Sequence, residues 1–319
     1  MKQKNIWLVG AGPMAQDYVK VLNDLDAEYL VIGRGQESAN QFYEKTKVLP
    51  ITGGLDKFLK AKPEKCSHAI VAVGVEALAQ TTMDLLNYDI ENILVEKPAG
   101  LNKEEIEKVA VLTKEKKANV FVAYNRRFYA SVFKAQEIIE QDGGVTSFNF
   151  EFTEWAHTIE PLKKAPGVKE NWFLGNSSHV VDLAFYLGGK PKELSTYTAG
   201  GLSWHPSASI FSGAGISEKG ALFSYQANWE SAGRWTVEIL TNNHRFIFCP
   251  LEKLQIQKKG SVKIDFDVYI DFTLDEKFKP GLYKMVQSFL NQDSSKLCTI
   301  EEQYKNIDVY FKMANYSLK

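Results

Sequence analysis

The chain has only three cysteines, Cys66, Cys249 and Cys298, which are far apart and odd in number. No disulfide framework fits them, and none has the short spacing of a zinc ligand set. Free thiols in a reducing compartment are expected. Charge of one sign is lacking too: 38 basic and 39 acidic side chains leave a formal net charge of −1. Nucleic acid is therefore not expected as a partner. Long apolar runs are missing. Near the N-terminus the run is only Ile6–Val9, whereas a secretory signal needs roughly 7–15 apolar residues and a membrane span about 20. A cytoplasmic protein without a membrane partner is expected. The nearest histidine pair, His157 and His179, has no specified carboxylate companions, so no metal is expected. There is no G-x-S-x-G elbow and no P-loop lysine, which leaves hydrolase and kinase chemistry unsupported. Internal repeats and low-complexity stretches are absent.

What is present is a long alternation. A chain of 319 residues exceeds what one core usually serves, and two domains are expected. Short apolar runs at Ile6–Val9, Tyr29–Ile32, His68–Val73, Ile93–Val95 and Asn119–Ala123 alternate with amphipathic stretches such as Met14–Leu25. That is the βαβ pattern of a parallel sheet covered on both faces. The fourth and fifth of these runs are expected to be the fifth and sixth strands. Asn102, with Glu105 three residues on, predicts the N-cap of a helix reaching Lys117. Beyond residue 122 the rhythm changes. A helix around Phe133–Gln141, a Gly143-Gly144 turn and a strand over Thr146–Glu154 are followed by a helix over Ser178–Leu187, closed by Gly188-Gly189. Several β-like runs lie between Glu193 and Lys258. The fold class expected is α/β: an N-terminal Rossmann doubly wound parallel sheet over 1–122, and over 123–319 a C-terminal α+β domain on a mostly antiparallel sheet. A large sheet with one bare face favours a homodimer or homotetramer.

Gly10-Ala-Gly12-Pro13-Met14-Ala15 follows the first strand and opens the first helix. In this G-x-G-x-x-A pattern Gly10 permits the tight turn and Gly12 leaves room for a pyrophosphate at a helix N-terminus. Val73, ending the His68–Val73 strand, is assigned to the same cofactor edge. NAD-preferring domains carry a carboxylate at the end of the second strand. Here that place reads Ile32-Gly33-Arg34-Gly35. Arg34 suits a phosphate, and Ser38 can add a hydroxyl, so NADP(H) is expected over NAD(H), with NAD(H) left open.

Together with that turn, Val95-Glu96-Lys97-Pro98-Ala99-Gly100, Tyr124-Asn125-Arg126-Arg127-Phe128 and the helix-borne His179-Val-Val-Asp182 resemble the glucose–fructose oxidoreductase / inositol dehydrogenase / rhizopine-catabolism (Gfo/Idh/MocA) family over essentially the whole chain. The resemblance implies hydride transfer at a carbinol or carbonyl carbon of a sugar, cyclitol or nucleotide-linked sugar. It implies a cis peptide at Pro98, and places Asn125 and Arg127 near nicotinamide and substrate; for Arg127 an interdomain salt bridge stands equally open. Lys97, at the carboxyl end of a parallel strand, can polarise a carbonyl or stabilise an alkoxide. Glu96 is structural or cofactor-facing. His179 is the candidate general acid/base. Asp182, on the same helix face, either holds the imidazole or is a solvated carboxylate. Trp155, in a polar–aromatic strand from Glu151 to Thr158 that also holds His157, and Trp172 can face a sugar, although core packing is open for each. Trp204-His205-Pro206 is given no catalytic part.

One departure stands out. The family's dehydrogenases usually carry Asp four residues before this histidine, and here that residue is Gly175. Asn176 or Ser178 can donate hydrogen bonds there, but neither is a base. The outcome expected is an NADP(H)-dependent oxidoreductase on a sugar-like substrate, with Lys97 and His179 catalytic, Lys97, Arg127, Trp155, Trp172, Asn176 and His179 binding substrate, and Gly10, Gly12, Pro13, Met14, Arg34, Ser38, Val73, Glu96, Lys97 and Asn125 binding the cofactor. A dinucleotide-binding sensor with little turnover, and an imine or tetrapyrrole-type reductase, are the alternatives.

Overall fold

The computed structural model describes residues 5–317. The chain divides into two compact units. The first comprises the residues up to Tyr124 with Glu276–Lys305, and the second Asn125–Asp275 with the residues from Asn306 on.

The first unit alternates strand and helix: β1 (Asn5–Val9), α1 (Pro13–Asp24), β2 (Glu28–Ile32), α2 (Gln36–Thr46), α3 (Gly54–Lys60), β3 (His68–Val71), α4 (Leu78–Asn87), β4 (Asn92–Val95), α5 (Lys103–Lys116) and β5 (Asn119–Val122). Ile6–Val9 and His68–Val71 are buried throughout, as strands sandwiched between helix layers must be. Helix α1 faces the sheet with Ala15, Tyr18, Val19, Val21 and Leu22. Asn102 caps α5, its Oδ1 accepting from the Glu105 N–H at 3.0 Å, while Glu105 Oε2 accepts from Leu101 N–H at 2.7 Å. Both ends of this capping arrangement were legible in sequence.

Strand β1 lies between β2 and β3, parallel to both. The order reverses there, which opens a crevice beyond the carboxyl ends of the strands. Two expectations need correction. The E-K-P segment follows the fourth strand and the Asn119 run is the fifth, because the stretch between β2 and β3 contributes only one bridge, Ile51 to Ile32. Pro50 precedes it and a Gly53-Gly54 turn follows, so no ladder can extend. Second, not everything beyond residue 122 joins the second unit. Helices α9 (Thr273–Lys277) and α10 (Leu282–Leu290) are followed by β14 (Cys298–Thr299), numbered in chain order after the strands given below, and by α11 (Ile300–Ala314). Strand β14 pairs antiparallel with the sheet edge at β5. Helix α10 buries Leu282, Met285, Val286, Phe289 and Leu290, with Phe289 edge-on to His68 at 5.1 Å. A two-residue strand has no periodicity to read.

The second unit holds α6 (Ala130–Gln141), β6 (Ser147–Glu151), α7 (Ala156–Ile159), α8 (Ser178–Gly188), β7 (Pro191–Ala199), β8 (Ile210–Ser217), β9 (Leu222–Asn228), β10 (Thr236–Leu240), β11 (His244–Phe248), β12 (Gln255–Lys258) and β13 (Ile264–Phe266). Its sheet runs β13-β12-β11-β10-β6-β9-β8-β7. All neighbours are antiparallel except β6 and β9, which are parallel. Helix α8 covers one face. At Gly188 a Cβ would stand 2.3 Å from the Phe148 ring, so only glycine lets helix and sheet approach. Phe185 meets Phe148 and Phe223 edge to face at 6.1 and 5.3 Å. Along Leu222–Ala227 exposed and buried residues alternate strictly, which leaves the opposite face uncovered within this unit.

The strand expected to run on to Thr158 ends at Glu151. Trp155 O accepts from the N–H groups of Thr158 and Ile159 and from Thr158 Oγ1 at 2.8 Å. These local bonds close a helical turn, and His157 lies on α7 instead. Among the described residues no helix is long and apolar enough to cross a membrane.

Candidate active site

In the first unit the β1–α1 turn is built around Gly10, whose φ is +125°. A Cβ there would lie 2.2 Å from Ala72 O, so both conformation and space demand glycine. Gly12 is the N-cap of α1 and has no side-chain cap, and a Cβ built on it meets no atom within 4 Å. The helix start therefore faces open space with its first N–H groups uncapped by a side chain, an anion cradle. The cleft beyond it has a volume of about 480 Å³, within the range of small-molecule sites. Gly10, Gly12, Pro13, Met14, Arg34, Ser38 and Val73, all assigned to cofactor from the sequence, line it. Arg34 makes no ion pair among the described residues. Ser38 Oγ donates to Gly35 O at 3.0 Å.

Glu96 and Lys97 are not in that lining; they form the turn after β4. The Lys97–Pro98 peptide is cis. The Ala99 N–H donates to Glu96 O at 3.0 Å. Glu96 Oε1 accepts from the Tyr18 hydroxyl at 2.7 Å. Burial pushes the Glu96 carboxyl above the usual range, against the Tyr18 hydrogen bond and the charges of Lys97 and Lys279. Gln303, fully buried on α11, donates from Nε2 to Pro98 O at 3.1 Å and accepts the Tyr124 hydroxyl at 3.0 Å. This support of the lysine turn was missed in sequence, since a glutamine some 200 residues away carries no local signal.

In the second unit Asn125 and Arg127 lie in a short helical turn, Asn125–Phe128. His179 is 8% exposed on the first turn of α8. Asp182, 2% exposed, is not a solvated carboxylate. It accepts from Arg127 Nε at 2.8 Å and Nη2 at 2.5 Å. This pair lies within the second unit. The Arg127 guanidinium also lies 4.8 Å from the Tyr186 ring.

Before α8 the chain makes a wide π-helical turn, Phe173–Ser177. A Cβ at Gly175 within it would meet no atom within 4 Å, so the residue that departs from the family pattern leaves room there. A carboxylate does reach the same turn. Glu154, 1% exposed, accepts from Asn176 Nδ2 at 2.9 Å and Ser177 Oγ at 2.8 Å, and pairs with Arg234 at 3.3 Å. Asn176, expected at the substrate, is thus engaged by Glu154. The Arg234 guanidinium lies 4.8 Å from the Trp155 ring and 4.4 Å from Trp235. Trp155 is 45% exposed and donates to Gly233 O. Trp172 packs edge-on to Trp204 at 6.1 Å. His205 bonds Ala208 O and the Tyr316 hydroxyl. Glu154, Arg234 and Trp235 were not picked out from sequence. Their signal was faint: a charge at the end of an apolar strand, and an Arg-Trp pair opening another.

Burial raises the Glu154 carboxyl above its usual range, with Ser177, Arg234 and Asn176 opposing. A folded-state pKa above the unfolded one favours folding while the group is protonated, and that contribution is lost as pH rises through the folded value. Glu154→Gln, which cannot ionise, should therefore gain on wild type in melting temperature between about pH 5 and pH 8. A gain that shrinks with rising pH would refute this.

Among the described residues no group of three or more His, Cys, Asp or Glu is placed to hold a metal ion. Residues 4–124 match the sequence model of the GFO_IDH_MocA oxidoreductase family, described as an NAD-binding Rossmann fold. No curated protein sequence matches. Among solved structures, the chain is similar to levoglucosan dehydrogenase in complex with NADH, at 17% identity and TM-score 0.78, covering 98% of this chain and 97% of that one. It is similar to UDP-N-acetylglucosamine 3-dehydrogenase GnnA from Acidithiobacillus ferrooxidans, at 12% identity, TM-score 0.74 and coverage of 99% and 98%. A putative NADPH-dependent oxidoreductase from Desulfitobacterium hafniense gives 14% identity, TM-score 0.76 and coverage of 98% and 95%. At these identities the likeness establishes the fold.

Proposed function

From residues 4–124, which match the model of the GFO_IDH_MocA oxidoreductase family, we propose an NADP(H)-dependent oxidoreductase acting on a sugar-like carbinol or carbonyl. The observation that carries it is the glycine cradle at α1, open at Gly12 and flanked by Arg34, which makes no ion pair among the described residues. Those residues fit a dinucleotide: the helix start receives the pyrophosphate, and Arg34 the 2′-phosphate, which a carboxylate at that place would repel. The nicotinamide, when bound, supplies or takes up the hydride. Lys97 is assigned the substrate oxygen, whose developing negative charge its ammonium stabilises. His179 is assigned the hydroxyl proton, which it takes during oxidation and returns during reduction. Glu96 holds Tyr18 and the turn that carries Lys97. Levoglucosan and UDP-N-acetylglucosamine, on which the enzymes of similar structure are named, support a sugar-like substrate.

The test is dinucleotide binding and turnover with the full chain. NADPH is expected to bind at least about tenfold more tightly than NADH, and Arg34→Ala to erase most of that difference. An unchanged preference in the variant removes the NADP(H) assignment. Absence of hydride transfer across a panel of sugars, ketosugars and sugar nucleotides removes the oxidoreductase reading and favours a sensor.

A further inference from the structure

Five arginines occur in the chain, and three of them are matched to carboxylates: Arg127 to Asp182, Arg234 to Glu154 and Arg245 to Glu238. Arg34 belongs to the nucleotide cleft. Arg126 remains. It is half-buried in the second unit, its Nε is shut off from solvent, and no hydrogen bond or ion pair engages the guanidinium among the described residues. It lies against an aromatic face, Trp235, with the guanidinium carbon 4.8 Å from the ring centroid.

A partly desolvated cation with no counter-charge is costly unless something supplies the charge. The Trp235 indole adds to the imbalance, because its Nε1 is also buried without a hydrogen-bond partner. Both groups are donors that cannot accept. A neighbouring carboxylate does not answer them, since Glu154 and Asp182 are already taken up by Arg234 and Arg127. Two orphaned donors on adjoining side chains, one permanently charged, call for a ligand group rich in acceptors and negative. The same indole borders His179, ring centroids 6.4 Å apart, so the cation and the candidate acid/base share a neighbour within one unit.

We propose that Arg126, backed by Trp235, receives an oxyanion of the substrate, a carboxylate or phosphate carried by the sugar. The planar guanidinium fork matches either group in bidentate fashion. The inference rests on the second unit being the substrate-binding part of the oxidoreductase proposed above, and it narrows the substrate from sugars in general to acidic sugars.

Calorimetric titration of the full chain, saturated with dinucleotide, tests it with glucose, glucuronate, glucose 6-phosphate and UDP-glucose. At least one of the three anions is expected to bind tenfold or more tightly than glucose, with a preference that weakens as salt rises. Glucuronate against the two phosphorylated sugars separates a carboxylate from a phosphate. Arg126→Gln should bring the anion-to-glucose ratio to within about threefold, and Arg126→Lys should keep part of it. Glucose binding as tightly as every anion, or an undiminished ratio in Arg126→Gln, overturns the inference; melting curves of both variants verify that they fold. Turnover is scored separately. A protein that selects sugar anions through Arg126 yet transfers no hydride keeps this inference and loses the oxidoreductase reading. One that oxidises sugars with no anion preference does the reverse.

Discussion

Lys97→Ala is expected to lower kcat by about 10²–10³-fold while leaving dinucleotide binding near the wild-type value. Removing one preorganised donor to a developing oxyanion costs that much in other enzymes, and an ammonium is the only group of the E-K-P turn that can play the part. The cleft proposed for the cofactor is lined by other residues, Gly10, Gly12 and Arg34 among them, so binding should survive. The turn itself has independent support in the Gln303 hydrogen bond to Pro98 O and the Tyr18 hydrogen bond to Glu96, which the substitution does not touch. Lys97→Arg keeps the charge but changes its reach, and should restore only part of the rate. A kcat for Lys97→Ala within tenfold of wild type would show that the oxygen is stabilised elsewhere.

The second large effect concerns stability. The Arg127 and Asp182 side chains are 4% and 1% exposed, and two hydrogen bonds join them. Breaking such a pair by removing one partner strands a buried charge, at a cost of about 3–5 kcal/mol. Asp182→Asn should therefore destabilise the second unit by that order in urea unfolding. Replacing both partners by apolar residues, as in Arg127→Met with Asp182→Leu, should cost clearly less, because no charge is left unpaired. If Asp182→Asn costs under about 1 kcal/mol, the pair is no more than a surface-like contact.

The candidate site was readable to different depths in its two halves. That Gly10, Gly12 and Arg34 line one cleft was legible because a strand, a turn and a helix start are local events, and a glycine at φ +125° announces itself by type. Lys97 and His179 came from short motifs in order. What surrounds them did not. Arg127 and Asp182 stand 55 positions apart, Glu154 and Arg234 80 apart, and nothing in the spacing of either pair signals a partner. Asp182 lies one helical turn from the imidazole, and the fold adds Arg127 as its partner, 55 positions away. Trp155 and His157 were misread as strand because alternation of polar and aromatic residues is blind to the capping bonds that Trp155 O receives.

The amino-acid order by itself determined the βα alternation, the phosphate-ready turn at Gly10–Gly12, the missing carboxylate after β2 and the absence of Asp at residue 175. Each of these depends on neighbours within one turn of chain, where backbone sterics and periodicity act directly. Only the tertiary structure decided that residues 276–305 return to the first sheet, that Gln303 steadies the lysine turn, and which arginines find carboxylates. Those outcomes are set by sheet order and burial, which bring together residues whose separation along the chain carries no energetic information until the core has closed.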